Sequence, residues 1–323
     1  MTDSAPTLSI TIQSVKRIRL DIRGVVQGVG FRPFVTRLAR DLSLSGNVRN
    51  CGSGVIIEVQ GMSEAVEQFQ SNLVSNAPEH ARIERVEKME VEVEAAEGFS
   101  ILDSLDQHAQ RVLIPPDVGC CDDCLTEVFD EGNRRYRYAF TSCVNCGPRF
   151  TLIEGLPYDR TKTTMARFEM CSSCRKEFED VDNRRYHVQP NACSVCGPRV
   201  TFLDSNGQPI ECADPIAEAA RAIRAGRIVA VKGLGGYHLA CDATNPHAVS
   251  LLRHRKRRPN RPFAMMFPDV QSVRRLCELS SEEERELTGS RRPIVLLAVK
   301  KQIGASTLTQ RRPRVPVEEV APG

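Results

Sequence analysis

The sequence lacks a long apolar run and a secretory leader. No stretch of its 323 residues approaches the ~18 consecutive apolar residues that a membrane-spanning helix requires. Its first residues, Met1–Pro6, contain neither the basic region nor the apolar run of a signal peptide. These two absences predict a cytoplasmic protein that does not cross a membrane.

The sequence also has little net charge, because 44 basic residues face 41 acidic ones and leave a formal charge of +3. A dedicated nucleic-acid-binding domain is usually more basic, so the charge argues weakly against that class. Apolar residues make up 41% and charged residues 26%, which is typical of globular proteins and excludes wholesale disorder or a collagen-like fibre. At roughly 150 residues per domain, the length predicts two or three domains.

Cysteine, by contrast, is abundant and unevenly distributed. Nine of the 13 cysteines lie between Cys120 and Cys196. In a reducing compartment such a cluster favours metal binding over disulfides. The scattered cysteines are expected to be small buried hydrophobic residues, and they are Cys51, Cys212, Cys241 and Cys277.

The cysteine-rich region is an internal repeat with an offset of 50 residues. Each copy has a Cys-x2-Cys pair, 18 intervening residues and a second Cys-x2-Cys pair. Two such pairs supply the four thiolates that zinc binds tetrahedrally. The predicted ligands are Cys121, Cys124, Cys143 and Cys146 in the first copy, and Cys171, Cys174, Cys193 and Cys196 in the second.

Both zinc sites are predicted to be structural. Four protein thiolates leave no open coordination position for catalysis, and the metal would fold a segment that is poor in apolar residues. Cys120 could compete with Cys121 as a ligand, but only Cys121 preserves the repeat. The Asn-Arg-Arg-Tyr motif (residues 133–136 and 183–186) and the Cys-Gly-Pro-Arg motif (146–149 and 196–199) repeat in register.

The residues before about position 105 predict the element order βαββαβ. Apolar periodicity gives four strands and two helices. The strands are Val15–Arg23, Gly46–Asn50, Gly54–Gln60 and Ile83–Val93, and the helices are Pro33–Leu42, with Phe34, Leu38 and Leu42 on one face, and Ser63–Ser75, with Val66, Phe69 and Leu73. One sheet with two helices on one face buries these elements economically.

A glycine-rich loop, Gly24–Arg32, lies between the first strand and the first helix. Its glycines let backbone N–H groups turn inward and form an anion-binding concavity at a helix N-terminus. Arg32 can grip a phosphate bidentately. The alternative is a tight turn with a surface arginine. The predicted phosphate-binding loop comprises Gln27, Gly28, Val29, Gly30 and Phe31.

This loop, together with Asn50 in the segment 47–54, resembles the signature of the acylphosphatase family on its ferredoxin-like βαββαβ fold. The resemblance implies that Arg32 binds the phosphate and that Asn50 orients the attacking water. An acyl phosphate has a good leaving group, so positioning and charge stabilisation can suffice without a strong general base.

The third part of the chain alternates helical and strand patterns and predicts an α/β domain. Its predicted helices are Ile216–Ala225, Pro246–Arg255, Val270–Leu279 and Ser281–Leu287, and its predicted strands are Ile228–Val231, which should be buried, Tyr237–Cys241, Phe263–Phe267 and Ile294–Val299. After Lys301 the sequence becomes polar and proline-punctuated, and nothing there closes a sheet. The domain is therefore expected to be partial.

Two motifs of this part, Lys232–Leu239 and the basic run Arg253–Arg261, together resemble the YrdC-like family, which binds ATP and a small carboxylate. The alternatives for the basic run are a solvated face or RNA binding. No aromatic residues interleave with it, so a base-stacking platform is not expected.

The order of the three parts resembles the hydrogenase-maturation carbamoyltransferase family. The expected domains are an acylphosphatase-like domain (1–105), a tandem zinc-finger region (106–205) and a truncated YrdC-like domain (206–323). The resemblance implies that Arg32 and Asn50 release carbamate and phosphate from carbamoyl phosphate. It also implies that ATP, with Mg²⁺, forms a carbamoyl-adenylate at a second site. The residues implied around that site are Lys232, His238, Lys256, Arg258 and Arg261.

The same resemblance implies a partner, HypE, whose C-terminal cysteine receives the carbamoyl group that becomes the cyanide ligand of [NiFe]-hydrogenase. Members of this family are more than twice as long and carry a further transferase domain. The chain is therefore expected to hydrolyse acyl phosphates without completing carbamoyl transfer.

Two other classes remain as alternatives. A zinc-ribbon nucleic-acid-binding protein would use arginines for salt-sensitive contacts, namely Arg134, Arg135, Arg184, Arg185 and the run Arg255–Arg258. A scaffold would only hold partners by its zinc knuckles. Tyr136, Tyr186 and His187 are expected to pack against the knuckles, with His187 also a candidate for lining a channel between active sites.

Overall fold

The computed structural model describes residues 14–105, residues 113–300 and Val320. The chain divides into two compact units, Met1–Pro198 and Arg199–Gly323, which are described separately. The predictions for Met1–Pro6 and for the polar stretch after Lys301 lie outside the described residues, Val320 excepted. Within the part of the chain that the structure describes, no helix is long and apolar enough to cross a membrane.

The first unit begins with a five-stranded sheet in the order β4-β1-β3-β2-β5. The strands are β1 (Val15–Val25), β2 (Ser45–Cys51), β3 (Gly54–Met62), β4 (Arg82–Glu90) and β5 (Phe99–Ile101). Strands β1 to β4 pair antiparallel, whereas β5 runs parallel to β2 at the edge. The predicted ferredoxin-like α+β fold is confirmed, and β5 is an addition that is too short to show a period in the sequence.

Two helices, α1 (Phe31–Asp41) and α2 (Ser63–Ser75), contact each other and the sheet. Two elements supply much of the core, as the sequence predicts. Strand β1 buries every second residue from Ile18 to Ile22, and α2 buries Val66, Phe69 and Leu73.

Helix α1 buries a different stripe from the one its sequence pattern emphasises. The fully buried apolar positions are Phe31, Val35 and Ala39, whereas the predicted stripe of Phe34, Leu38 and Leu42 is only half-buried. The two stripes are neighbours on the helix surface, since positions three apart differ by about 60° around a helix with 3.6 residues per turn. Packing against the sheet selects between them.

The zinc-finger region has two short helices that are 50 residues apart, α3 (Asp122–Phe129) and α4 (Ser172–Glu179). Between and after them the chain forms turns and short 3-10 segments, among them Arg160–Lys162. One apolar cluster of this region has only four buried members, which are Tyr138, Leu152, Met165 and Ala192. Metal bound at the cysteine clusters would add order to a region whose apolar cluster is this small.

The second unit contains four helices and one β-hairpin within its described residues. They are α5 (Pro215–Arg224), β6 (Val229–Gly233), β7 (Gly236–Ala240), α6 (Pro246–Arg255), α7 (Val270–Leu276) and α8 (Ser281–Thr288). Each helix begins at a side-chain cap that accepts backbone hydrogen bonds, which explains where the helices start. The caps are Asp214, Asn245, Asp269 and Ser280.

Three predictions for the second unit are wrong. Neither Phe263–Phe267 nor Ile294–Val299 forms a strand; only Val299 makes an isolated bridge, to Cys277. The strand predicted to be buried, Ile228–Val231, is half-buried to exposed and belongs to β6. Apolar runs become strands only when their backbone groups find a partner strand, and a two-stranded ribbon alone cannot bury both of its faces.

Candidate active site and metal clusters

The glycine-rich loop connects the end of β1 at Val25 to the start of α1 at Phe31. Gly28 and Gly30 have φ values of 71° and 76°, in the left-handed region that glycine adopts without strain. Among the described residues, none accepts a hydrogen bond from the backbone N–H groups of residues 28–31. These donors lie at the N-terminus of α1, where the sequence predicts an anion-binding concavity.

Arg32 and Asn50 are both buried and converge on one backbone group. Arg32 lies in the first turn of α1, and Asn50 lies near the end of β2. Arg32 Nη2 and Asn50 Nδ2 each donate to the backbone oxygen of Tyr158 at 3.3 Å. The alternative of a surface arginine is therefore wrong, because Arg32 is only 8% exposed.

Each of these two side chains keeps polar atoms that form no hydrogen bond within the described part of the chain. Arg32 Nη2 also donates to Asp159 Oδ1 at 2.9 Å, while Nη1 and Nε have no protein partner there. Asn50 Oδ1 is buried and has no hydrogen-bond partner among the described residues. A buried acceptor of this kind is costly unless a ligand or water satisfies it.

The side chain of Gln27 bonds to the surrounding backbone and is not available to bind phosphate directly. Its Nε2 donates to the backbone oxygens of Cys51 and Gly54, at 2.9 and 2.7 Å, and its Oε1 accepts from the Tyr158 N–H at 3.0 Å. The side-chain amide is therefore fully engaged by the protein. Val29 and Phe31 point into the core, 4% and 1% exposed, so only their backbone N–H groups can serve a phosphate.

The zinc-finger region forms the opposite wall of this site. A small cavity is lined on one side by the loop, Arg32 and Asn50, and on the other by residues that include Val144, Arg149, Tyr158, His187 and Gln189. Gly30 packs so closely that a Cβ atom there would lie 2.4 Å from Val144 Cγ2. The finger region therefore helps to enclose the candidate acylphosphatase site.

Arg149 ties the first finger to the loop. Its Nε donates to the backbone oxygen of Gly28, and its two Nη atoms donate to carbonyls within the knuckle. The sequence marks Arg149 as part of the repeat but gives no sign of this contact. Nothing in the sequence marks Tyr158 or Asp159, because they belong to no motif or repeat.

His187 lines the same cavity and packs against two rings. Its ring centroid lies 4.8 Å from that of Phe178 and 4.7 Å from that of Tyr186. Burial, with the positive charge of Arg32, lowers the pKa of His187 to about 4. Burial likewise raises the pKa of the Tyr158 hydroxyl, which makes no hydrogen bond with the part of the chain that the structure describes. Both side chains are therefore neutral near pH 7. His187 packs against neighbouring rings, as predicted, and also forms part of the cavity wall.

The eight predicted metal ligands form two clusters, in each of which all four sulfur atoms lie within 4.8 Å of one another. In the first cluster the Sγ atoms of Cys121 and Cys143 are 3.6 Å apart. In the second, Sγ of Cys171 and Cys193 are 3.8 Å apart. A tetrahedral zinc with Zn–S bonds of about 2.3 Å separates its sulfurs by about 3.8 Å. These donor sets therefore fit zinc.

The remaining cysteines stand outside the clusters. Cys120 directs its Sγ at the carbonyl of Cys121, so Cys121 is the cluster member, as the repeat predicts. All 13 cysteines are free thiols, which agrees with metal binding rather than disulfides. Cys51 is buried, as expected, but Cys212, Cys241 and Cys277 are only half-buried.

The two fingers support each other's clusters through the repeated Asn-Arg-Arg-Tyr motif. Arg134 of the first finger donates to Cys174 Sγ of the second at 3.2 Å, and Arg184 of the second donates to Cys124 Sγ of the first at 3.1 Å. Four thiolates around Zn²⁺ carry a net charge of −2, so each guanidinium stabilises the cluster of the other finger.

A half-buried carboxylate accompanies each of these contacts. Arg135 binds Glu177 with two hydrogen bonds, and Arg185 binds Glu127 in the same way. Burial opposes ionisation of Glu177, but the hydrogen bonds and charges of Arg135 and Arg134 outweigh it and lower the pKa of its carboxyl to about 2. The pKa of Glu127 is lowered by its arginine pair against the same opposing effect of burial.

These pairs weaken the nucleic-acid alternative. Arg135 and Arg185 are 1% and 3% exposed, and all four repeat arginines bind carboxylates of the other finger. A phosphate backbone could reach them only at the expense of those ion pairs. Arg135 and Arg185 therefore belong to the interior of the finger region, whereas Arg134 and Arg184 lie nearer its surface but are held in ion pairs.

The candidate nucleotide residues lie in two places in the second unit. Lys232 and His238 lie on β6 and β7, and the Lys232 ammonium stands 5.7 Å from the Tyr237 ring centroid. The others follow α6: Lys256 ends the helix, and the Arg258 guanidinium lies over Phe263 at 5.8 Å. Arg261 is exposed. Within the described residues, no hydrogen bond or ion pair joins the two groups.

Comparisons with known proteins match family models to three parts of the chain. Residues 18–101 match the acylphosphatase family model, residues 120–153 and 170–203 match the HypF finger model, and residues 221–318 match the Sua5/YciO/YrdC model, described as telomere recombination. An acylphosphatase of Synechococcus sp. is 39% identical over 102 residues, which cover 31% of this chain and 84% of that protein.

Longer relatives match nearly the whole chain. Carbamoyltransferase HypF2 of Cupriavidus necator is 54% identical over 284 residues, covering 87% of this chain and 35% of that protein. A solved structure of full-length HypF in its phosphate- and nucleotide-bound form aligns with a TM-score of 0.85 at 44% identity, covering 91% of this chain and 38% of that one.

The fold and the cysteine clusters thus define an acylphosphatase-type domain joined to paired zinc fingers. Its first domain belongs to the acylphosphatase family. Over most of its own length the chain is similar to carbamoyltransferase HypF proteins, at 44–54% identity. It spans about a third of the length of the curated relatives that it matches.

Proposed function

We propose that the site at Arg32 and Asn50 hydrolyses acyl phosphates, and that its substrate is carbamoyl phosphate. The observation that carries this proposal is the convergence of three features. Within the described residues, the N–H donors of the loop at the helix N-terminus have no acceptor, the buried Arg32 guanidinium has unused donors, and the buried Asn50 amide oxygen has no partner. The match to the acylphosphatase family supports the same reaction.

In this mechanism the phosphoryl oxygens accept hydrogen bonds from the loop N–H groups and from Arg32, which stabilise the charge that spreads over them in the transition state. Asn50 Oδ1 accepts a hydrogen bond from water and aims it at phosphorus. The water oxygen forms the new P–O bond, the bond to the carbamoyl oxygen breaks, and the products are inorganic phosphate and carbamate. The displaced water proton leaves to solvent.

No strong base is needed, because the carboxylate-like leaving group departs readily. Positioning therefore supplies most of the acceleration. The neutral state of His187 agrees with this, since a histidine with a pKa of about 4 is a weak base. Its position in the cavity wall suits exclusion of water rather than proton transfer.

The two cysteine clusters are proposed to hold zinc in a structural role. Each has four thiolates, and zinc there would order the knuckles that carry Val144 and Arg149 to the loop. The chemistry that the metal supplies is charge neutralisation and cross-linking of the chain.

For the second unit we propose binding of ATP with Mg²⁺ and formation of a carbamoyl-adenylate, with HypE as the eventual acceptor of the carbamoyl group. The match of residues 221–318 to the Sua5/YciO/YrdC model and the similarity to HypF support this assignment. The proposed contacts are Lys232, His238, Lys256, Arg258 and Arg261. The test is the exchange of pyrophosphate into ATP in the presence of carbamoyl phosphate, measured for the wild-type chain and for Lys232→Ala.

The test of the acylphosphatase site is phosphate release from carbamoyl phosphate by the wild-type chain and by Arg32→Ala. The matched control is Arg40→Ala, which removes a guanidinium two turns further along the same helix. We expect the Arg32 variant to lose at least about 100-fold in kcat/KM, as removal of a transition-state charge contact does. Equal rates for the wild type and the Arg32 variant would contradict the proposal.

A further inference from the structure

The segment between the two zinc fingers reaches into the candidate acylphosphatase site through two adjacent residues, Tyr158 and Asp159. The backbone of Tyr158 is held by three side chains of that site: its N–H donates to Gln27, and its carbonyl accepts from Arg32 and Asn50. Asp159 adds an ion pair to Arg32 at 2.9 Å. These contacts join residues that are more than 100 positions apart in the sequence.

We propose that Asp159 and the Tyr158 carbonyl are positioning groups that hold Arg32 and Asn50 in their reactive orientations. This inference rests on the proposed hydrolysis of acyl phosphates and extends it, because it assigns part of that site to the finger region. Neither group touches the substrate in this scheme; both act through the two side chains that do.

The division of hydrogen bonds within Arg32 supports the proposal. Nη2 is bound on one side by Asp159 Oδ1 and the Tyr158 carbonyl, while Nη1 and Nε form no hydrogen bond within the described residues. A guanidinium is planar and rigid, so fixing one nitrogen fixes the direction of the other two. The two unused donors are then presented to a phosphate without loss of rotamer freedom at the moment of reaction.

The side-chain amide of Asn50 likewise has one end bonded to the protein and one end left for the reaction. Its Nδ2 donates to the Tyr158 carbonyl, which fixes the amide plane and leaves Oδ1 as the free atom. That orientation presents an acceptor, not a donor, to a water molecule. Reversal of the amide would set a donor where the water proton must go, so the Tyr158 carbonyl decides which end of Asn50 faces the reaction.

A competing account treats Asp159 as an occluder, a carboxylate that takes the place of substrate phosphate on Arg32. The two accounts differ in kinetics. Removal of a positioning group lowers kcat because the transition state loses its aligned donors, and misplacement by about 1 Å can cost on the order of 100-fold. Removal of an occluder lowers KM and leaves kcat unchanged, since only the ground state was obstructed.

The experiment measures kcat and KM for carbamoyl phosphate, and the Kd of inorganic phosphate by calorimetry, in the wild-type chain, Asp159→Ala and Asp159→Asn. We expect Asp159→Ala to lose about 10- to 100-fold in kcat, with a phosphate Kd that is unchanged or lower because one negative charge is gone. Asp159→Asn keeps an oxygen acceptor for Arg32, so it should recover part of the lost kcat.

Asp182→Ala is the matched control. Asp182 also comes from the finger region and pairs with an arginine of α1, Arg40, but it is away from Arg32 and Asn50. It should keep the wild-type kcat. Zinc content and melting temperature of every variant establish that the fingers are folded, and a local loss of order is read directly from the side-chain Nε–H NMR signal of Arg32.

The outcomes separate the two levels of the argument. If the wild-type chain does not hydrolyse carbamoyl phosphate, the proposed function is wrong and so is this inference. An active wild type with a normal kcat in Asp159→Ala overturns only the positioning role, and a lowered KM in that variant establishes the occluder. If Asp182→Ala loses kcat as well, the effect comes from general packing of the fingers on α1. That result would also overturn the positioning role of Asp159.

Discussion

Arg149 donates a hydrogen bond from its side-chain Nε to the backbone carbonyl of Gly28, and so joins the first zinc knuckle to the phosphate-binding loop. The same guanidinium donates to the carbonyls of Cys143, Val144, Cys146 and Pro148. One buried side chain thus sets the geometry of both the knuckle and the loop. The candidate active site and the first cysteine cluster are therefore connected through Arg149.

Loss of Arg149 should therefore destabilise the chain strongly. Arg149→Ala leaves several buried carbonyls without their donor, and we expect the free energy of unfolding to fall by about 2–4 kcal/mol. The repeat supplies a matched control, Arg199, which occupies the equivalent position but is exposed. Urea unfolding of Arg199→Ala should stay within about 0.5 kcal/mol of the wild type. Equal losses in both variants would contradict the role assigned to Arg149.

The reciprocal arginine contacts predict that each finger tunes the metal affinity of the other. Arg184→Gln should weaken zinc binding at the first cluster, and Arg134→Gln should weaken it at the second, each by about 10-fold, as is usual for loss of a partner outside the ligand set. The measurement is zinc release to a chromogenic chelator, in which each variant should accelerate a different kinetic phase. Arg175→Gln, an exposed arginine beside Cys174, should leave both phases unchanged.

Removal of zinc should unfold the fingers and spare the sheet. The core between the sheet and the helices α1 and α2 draws its 16 buried apolar residues from positions 18–73, so none of them comes from the cysteine clusters. In a chelator, hydrogen exchange should become fast in α3 and α4 while β1 and β3 stay protected. Hydrolysis of carbamoyl phosphate should also fall, because the finger wall of the site is lost. Loss of protection throughout the sheet would contradict this independence.

His187 predicts a pH dependence of stability. Its pKa in the folded chain is about 4, against 6.5 for an ordinary histidine. Between these values the unfolded chain binds a proton that the folded chain does not. The free energy of unfolding therefore carries this contribution in full above pH 6.5 and loses it as the pH falls towards 4.

The comparison is between the wild type and His187→Gln, which cannot titrate. From pH 7.5 to pH 5 the wild type should lose about 2 kcal/mol more than the variant in urea unfolding. Zinc content is checked at each pH, because thiolate protonation would act on both proteins alike. Parallel pH profiles would show that His187 does not control this loss.

The sequence by itself determined the elements whose signals are local. Alternation from Ile18 to Ile22 and the 3.6-residue spacing of Val66, Phe69 and Leu73 set the ferredoxin-like sheet and its second helix, because these side chains meet the core wherever the rest of the chain lies. The cysteine repeat likewise set both clusters, since a Cys-x2-Cys turn brings its own two thiolates together.

Only the tertiary structure decided which residues complete the candidate site. Tyr158 and Asp159 lie 126 and 127 positions after Arg32 and have no periodicity or motif, so the contact exists only because the finger region packs on the loop. The arginine pairs between fingers arise in the same way. In the second unit, Phe263–Phe267 forms no strand with any of the described residues, although the Phe263 N–H donates to the Val320 carbonyl. A strand forms only where another backbone offers a continuous row of the opposite hydrogen-bonding groups.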